Sequence, residues 1–325
     1  MLFGDSPKPG LVGIAKLASE GEVLEAKRAV QYLEIKCRSL LNRTRPGMPF
    51  AWSLNPYRGC EFGCRYCYAR YTHEFMELRD PTDFEDRIFA KTEIKAILRS
   101  ELKRNDCKGG IAIGTATDPY QPAERRFGRT RAALEVFAEE RGLSISIITK
   151  SDLVVRDIPL FVKIAEHNRI SVNVTITTLD RDLARALEPR APRPDLRLKA
   201  VEAIAQAGIP TGVYPNPIMP GITDDERKLD RLAKAARDRG ATHFGGGVLF
   251  LMPCSRRVFF PFVAERFPHL MRRYEERYGA AAYLKGEYRE VIRKRIAAIR
   301  DRYGLGSSPP WREIAADETQ GLLFA

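Results

Sequence analysis

From residue 51 the chain alternates between short β-branched runs and longer runs with helical spacing, about six times over. "AWSLNPY", "GGIAIGTAT", "LSISIITK", "RISVNVTITT", "IPTGVYPNP" and "THFGGGVLFL" read as strands, because β-branched and aromatic side chains suit a pleated, half-buried surface. "TEIKAILRSELKRN", "RTRAALEVFAEERG", "IPLFVKIAEHN", "RPDLRLKAVEAIAQAG" and "DDERKLDRLAKAARDRG" read as the intervening helices. The first puts Ile94, Ile97, Leu98 and Leu102 on one face, and three others close on Gly142, Gly208 and Gly240. Strands joined by helices through short connections predict a parallel sheet covered by helices. The pattern leaves two closures open, a doubly wound sheet and a full or partial barrel.

Residues 1–45 read as a polar N-terminal lead-in with a weak helix around Gly21–Tyr32. Residues 46–255 form the core domain, and residues 256–325 a basic C-terminal helical extension ending near "GLGSSPPW". Hydrophobic residues make up 44% and charged residues 30%, the balance of a globular chain rather than a disordered one. No run approaches the ~20 apolar residues of a membrane helix. The first residues lack the basic–apolar–small order of a signal peptide, so a cytoplasmic location without a membrane partner is expected. The net charge of +12 favours polyanions or an anionic substrate or cofactor, with nucleic acid among the candidate partners. A generally Arg-rich composition accounts for the charge equally well.

The densest chemistry lies in "LNPYRGCEFGCRYCYARYTHEF", where Cys60, Cys64 and Cys67 fall on one short segment. Cys37, Cys107 and Cys254 are scattered and read as inert thiols. Clustered thiolates select zinc, copper(I) or iron–sulfur clusters. A structural zinc site takes four ligands, and only His73 is near enough in sequence to complete a Cys3His set. Three thiolates on one loop suit a [4Fe–4S] cluster with one iron left open, since electron-transfer clusters use four cysteines. A non-catalytic, metal-stabilised nucleic-acid-binding protein is the alternative from another class.

The CxxxCx(aromatic)C pattern with Tyr66 in the aromatic place, following a first strand on a βα-repeating chain, resembles the radical S-adenosylmethionine (SAM) superfamily. "NPYRGCEFGCRYCYAR", "TATDPYQPAE", "ITKS" and "EPRAPRPDLRLKA" narrow the resemblance to the spore photoproduct lyase-like group. The resemblance implies a partial TIM barrel of about six βα units. It implies a [4Fe–4S] cluster on Cys60, Cys64 and Cys67, whose open iron is chelated by SAM. Reductive cleavage of SAM to a 5′-deoxyadenosyl radical, hydrogen abstraction from a substrate, and an external electron donor of the flavodoxin or ferredoxin type are implied with it.

Residue by residue, the resemblance assigns Tyr66, Thr117, Asp118, Lys150, Thr175 and Arg197 to SAM. Lys150 ends the strand "ISIITK", where a compact cation opposite a carboxylate is favourable in a partly dry site. Arg197 is read as a second cation. The chain departs from the lyase at Thr115, where the lyase carries a hydrogen-donor cysteine; a threonine O–H is a far poorer hydrogen-atom donor. Phe62 stands where many relatives have histidine, which leaves the thiol set intact.

Overall fold

A computed structural model describes residues 22–27, 30–107, 109–284 and 286–310. Eleven strands are present among them: β1 (Glu22–Lys27), β2 (Val30–Ile35), β3 (Leu41–Arg43), β4 (Trp52–Leu54), β5 (Tyr57–Arg58), β6 (Arg87–Lys91), β7 (Ile111–Ile113), β8 (Ser144–Thr149), β9 (Arg169–Thr175), β10 (Thr211–Tyr214) and β11 (His243–Phe244). The larger sheet runs β3-β4-β7-β8-β9-β10-β11. Strands β4 to β11 in that sheet are mutually parallel, and β3 pairs antiparallel at its edge.

That order decides between the two closures. A doubly wound sheet reverses direction part-way, whereas here every crossover steps the same way. Six parallel strands in sequential order make a partial TIM barrel, and no pairing of β11 with β4 closes it among the described residues.

The helices of eight or more residues are α1 (Ile94–Arg104), α2 (Arg129–Phe137), α3 (Ile158–Ala165), α4 (Pro194–Gln206), α5 (Glu226–Arg237), α6 (Pro253–Arg266), α7 (Met271–Tyr278) and α8 (Glu287–Tyr303). Leu98, Leu134, Phe161, Val201, Leu232 and Ile296 from six of them share one core with Ile113, Ile147, Val172 and Val213 of the sheet. Strand β9 is buried on both faces from Ile170 to Thr175, as expected where helices cover a parallel sheet. At the β10–β11 pairing, Gly212 faces His243, and a Cβ at residue 212 would lie 2.2 Å from the His243 Nε2 atom.

A second core joins the cysteine loop to the C-terminal helices. Cys60, Phe62, Cys64 and Tyr66 pack with Phe259 and Phe262 of α6 and with Tyr274 and Tyr278 of α7. Burying each of these aromatic side chains stabilises the fold by about 2 kcal/mol, so these helices form one wall of the cysteine loop.

The helix expected around Gly21–Tyr32 is not formed over the described residues. Strands β1 and β2 pair antiparallel instead, and β2 continues parallel to β6 in a small sheet of order β1-β2-β6-β5. Val30 and Tyr32 point inward together with Tyr57, Ile88 and Ala90, a period-2 arrangement that only the partner strands reveal. Gly21 and the chain after residue 310 lie outside the described residues.

Candidate functional site

The cysteine loop leaves β5 through Gly59, whose φ of +79° suits glycine. A Cβ at residue 59 would lie 2.7 Å from the Arg87 carbonyl oxygen and 2.8 Å from that of Phe84. The loop is then fastened on several sides. The Cys60 amide donates to Phe84 O at 2.9 Å, and the Ser255 hydroxyl to Cys67 O at 2.7 Å. Arg70 donates to Cys64 O at 3.2 Å while it ion-pairs with Glu85 at 2.5 Å, in a buried position.

All three thiols are free, with Cys60 and Cys64 buried and Cys67 half-buried. Burial pushes each thiol above its ordinary value, Cys64 to about 12. Lys150 opposes the shift at Cys64, and Arg70 and Lys150 oppose it at Cys67. Two buried thiols and a half-buried one, flanked by cations, fit a cationic cluster that binds them as thiolates and offsets the burial. They fit a lone zinc ion poorly, because a structural zinc takes four ligands. His73, the sole candidate for a fourth ligand, packs edge-on against Phe84 and Phe89, and its Nε2 lies 3.1 Å from Arg87 O. Burial pushes its imidazole down to about 4, so it is neutral at pH 7.

The remaining candidates gather at the C-terminal ends of β7, β8 and β9, the end of such a barrel where sites assemble. Thr117 donates to Gly59 O at 2.5 Å, and Gln121 donates to both groups at 3.0 Å, which ties the segment after β7 to the cysteine loop. Asp118 accepts from the Thr149 hydroxyl at 2.7 Å, the Lys150 amide at 2.7 Å and the Tyr120 amide at 2.9 Å. Its carboxylate therefore sets the strand end that carries Lys150. The Lys150 ammonium lies 5.8 Å from the centre of the Tyr66 ring and has no ion-pair partner among the described residues. Burial disfavours its charge, but Cys64 and Glu188 outweigh that and hold its pKa above the ordinary lysine value.

Arg197 is buried, where a helix arginine is usually exposed. Its Nε donates to Pro192 O at 2.7 Å and its Nη1 to Thr175 O at 3.1 Å, and its Nη2 pairs with Glu188 at 2.5 Å. These three nitrogens brace the end of β9 rather than stand free as a second cation. Thr175 is buried there, with its carbonyl under Arg197.

Glu188 and Thr177 were not singled out from the sequence. The Tyr66 hydroxyl donates to Glu188 and lies 3.2 Å from the Thr177 hydroxyl, which itself donates to Glu188 at 2.6 Å. The Pro-flanked "EPRAPRPD" was the available signal, but only the fold shows that its glutamate receives the aromatic residue of the cysteine loop. On the far side of the loop, Asn55 donates to the Thr115 hydroxyl at 3.1 Å, and the Tyr68 hydroxyl donates to Thr115 O.

The radical SAM superfamily profile matches residues 54–233, more than half of the chain, including the three cysteines and the candidates from Tyr66 to Arg197. The chain belongs to the radical SAM superfamily. An uncharacterized protein of Mycobacterium tuberculosis is 37% identical over 305 residues, covering 91% of this chain and 88% of the relative. A protein of Pseudomonas phage M6 named radical SAM Nalpha-GlyT isomerase is 26% identical over 212 residues, covering 62% of this chain and 41% of the relative. Among solved structures, spore photoproduct lyase complexed with dinucleoside spore photoproduct superposes with a TM-score of 0.64 at 15% identity, covering 91% of this chain and 84% of the lyase. A variant of that lyase with bound AdoMet gives 0.61 at 13% identity, covering 92% and 85%. At this identity the likeness is one of fold, and it extends past the superfamily match to the C-terminal helices. No helix among the described residues of this radical SAM protein is long and apolar enough to cross a membrane.

Proposed function

We propose that Cys60, Cys64 and Cys67 hold a [4Fe–4S] cluster and that Lys150, above Tyr66, binds the carboxylate of SAM. When bound and reduced, the cluster and SAM supply a 5′-deoxyadenosyl radical that abstracts hydrogen from the substrate. The observation that carries this reading is the Lys150 ammonium, unpaired beside the Tyr66 ring and close enough to Cys64 to act on it electrostatically. An unpaired ammonium in a partly dry cleft favours an anionic group.

The other residues act on this pair. Asp118 and Thr149 hold the Lys150 backbone, Thr117 sets the cysteine loop against the end of β7, and Arg197 with Glu188 fixes Tyr66. The wall formed by α6 and α7 excludes water from the loop. An external electron donor and a cytoplasmic location belong to the same reading.

Nucleic acid is the substrate class we propose to test first, on the net charge of +12. Thr115 in place of a thiol argues for a product-forming step different from that of the lyase.

The test is anaerobic reconstitution, reduction and assay for 5′-deoxyadenosine. The wild type should cleave SAM, and Lys150→Met should bind SAM more weakly while retaining its iron. Full iron and sulfide loading without SAM cleavage would overturn the proposal and favour a structural cluster in a nucleic-acid-binding protein. One zinc without iron would do the same.

A further inference from the structure

The small sheet carries two cations that the SAM site does not use. Arg58 of β5 is paired in register with Phe89 of β6, and Lys91 lies two residues further along β6. Side chains two apart on a strand share a face, so Arg58, Phe89 and Lys91 point the same way. Leu33 and Ile35 of β2, opposite Phe89 and Lys91, complete that face. Lys91 is only 4% exposed, and its ammonium has neither an ion pair nor a hydrogen bond among the described residues. The Arg58 Nε is buried without a partner.

Nearby acidic groups offset the burial of Lys91 only in part. Glu101, the carboxylate that acts on Lys91, accepts the Leu40 and Leu41 amides at 3.0 Å, and Glu93 is exposed. Cys37 is the other ionisable neighbour, and burial pushes its thiol up, toward the neutral form. Burial, and after it the Arg58 charge, pushes Lys91 down to about 8. The cysteine loop is not the counter-charge either: the acidic groups acting on Arg58 are Cys37 and Tyr71, not the three loop thiols.

We propose that this face is an oxyanion site, in which Arg58 and Lys91 together hold a phosphate or carboxylate group. A buried ammonium beside a half-buried guanidinium is costly to leave uncompensated, and an oxyanion between them satisfies both. The Lys91 amide donates to Pro56 O at 3.1 Å, next to the Asn55 that orients Thr115. The site thus borders the segment leading from β4 into the cysteine loop.

The test is thermal unfolding of the full chain in chloride, inorganic phosphate or acetate at matched ionic strength. Phosphate or acetate should raise the midpoint by about 3 °C near saturation, and the larger rise identifies the source of the oxyanion. Lys91→Met should abolish the rise, with a midpoint in chloride equal to or above that of the wild type. Lys150→Met should keep the rise, which separates this site from the SAM carboxylate site. No rise with either anion, or a rise that survives Lys91→Met, overturns the proposal. If Lys91→Met does not fold, acetylation of Lys91 in the wild type decides: a tenfold excess over Kd should slow it about tenfold, and no protection overturns the proposal.

Discussion

Glu188 and Arg197 meet at 2.5 Å with 0% and 1% of their side chains exposed, beneath the aromatic residue of the cysteine loop. Burial alone raises a carboxyl pKa, yet the Arg197 charge, followed by that of Lys150, holds Glu188 below its ordinary value. The glutamate is therefore ionised and serves as the common acceptor for Tyr66 and Thr177.

Removing one partner of such a pair leaves a buried charge uncompensated. Glu188→Gln should lower stability by about 3–5 kcal/mol, seen as a lower denaturant midpoint at unchanged m-value. Adding Arg197→Met to it should recover part of the loss. A single variant within ~0.5 kcal/mol of wild type would show that the pair is not a structural determinant.

Gly59→Ala should impair cluster loading although all three thiols remain. The added methyl meets two backbone carbonyls at 2.7 and 2.8 Å, so the loop itself has to shift. Iron per chain should fall well below that of Gly142→Ala, where φ is also positive but the new Cβ meets nothing within 4 Å. Equal loading in the two variants would refute the positional argument.

His243 gives a pH dependence of stability. Its ring lies between Thr242 and Asn173, and burial pushes its pKa down to about 4 from 6.5. Between those values the unfolded chain binds the proton and the native chain does not, so stability falls as pH drops from 6.5 to 4. The contribution is on the order of 3 kcal/mol. Denaturation midpoints at pH 7 and pH 4.5 should show the loss, and His243→Gln should shrink it by about the His243 share, leaving that of His73, whose pKa is pushed down in the same way. An equal slope in that variant would assign the acid sensitivity elsewhere.

The six strands and five helices of the main domain were legible from β-branched runs and helical spacing, as in Ile145, Ile147 and Thr149 of β8, although "THFGGGVLFL" forms a strand only at His243–Phe244. The β1–β2 hairpin was not. In "VQYLEI", Val30, Leu33 and Tyr32 suit either a helix or a strand, and the choice is made by β6, more than 50 residues later. At the site, the cysteine spacing and Lys150 could be read locally. The place of Arg197 could not, because a helix sequence does not show that a glutamate and a strand carbonyl enclose the guanidinium. The contact of Tyr66 with Glu188 spans 122 positions, beyond any local pattern.

The Ser255 hydroxyl that holds the Cys67 carbonyl comes from a residue 188 positions later. The consequence is one of timing. While the ribosome is still adding the last strands, the cysteines have emerged but their inner wall has not been made. The thiols then lack the cover that α6 and α7 give them in the folded chain. If the proposed cluster is bound, its insertion follows translation of the C-terminal helices. Nascent chains arrested before residue 253 should take up no iron, whereas the released full-length chain should.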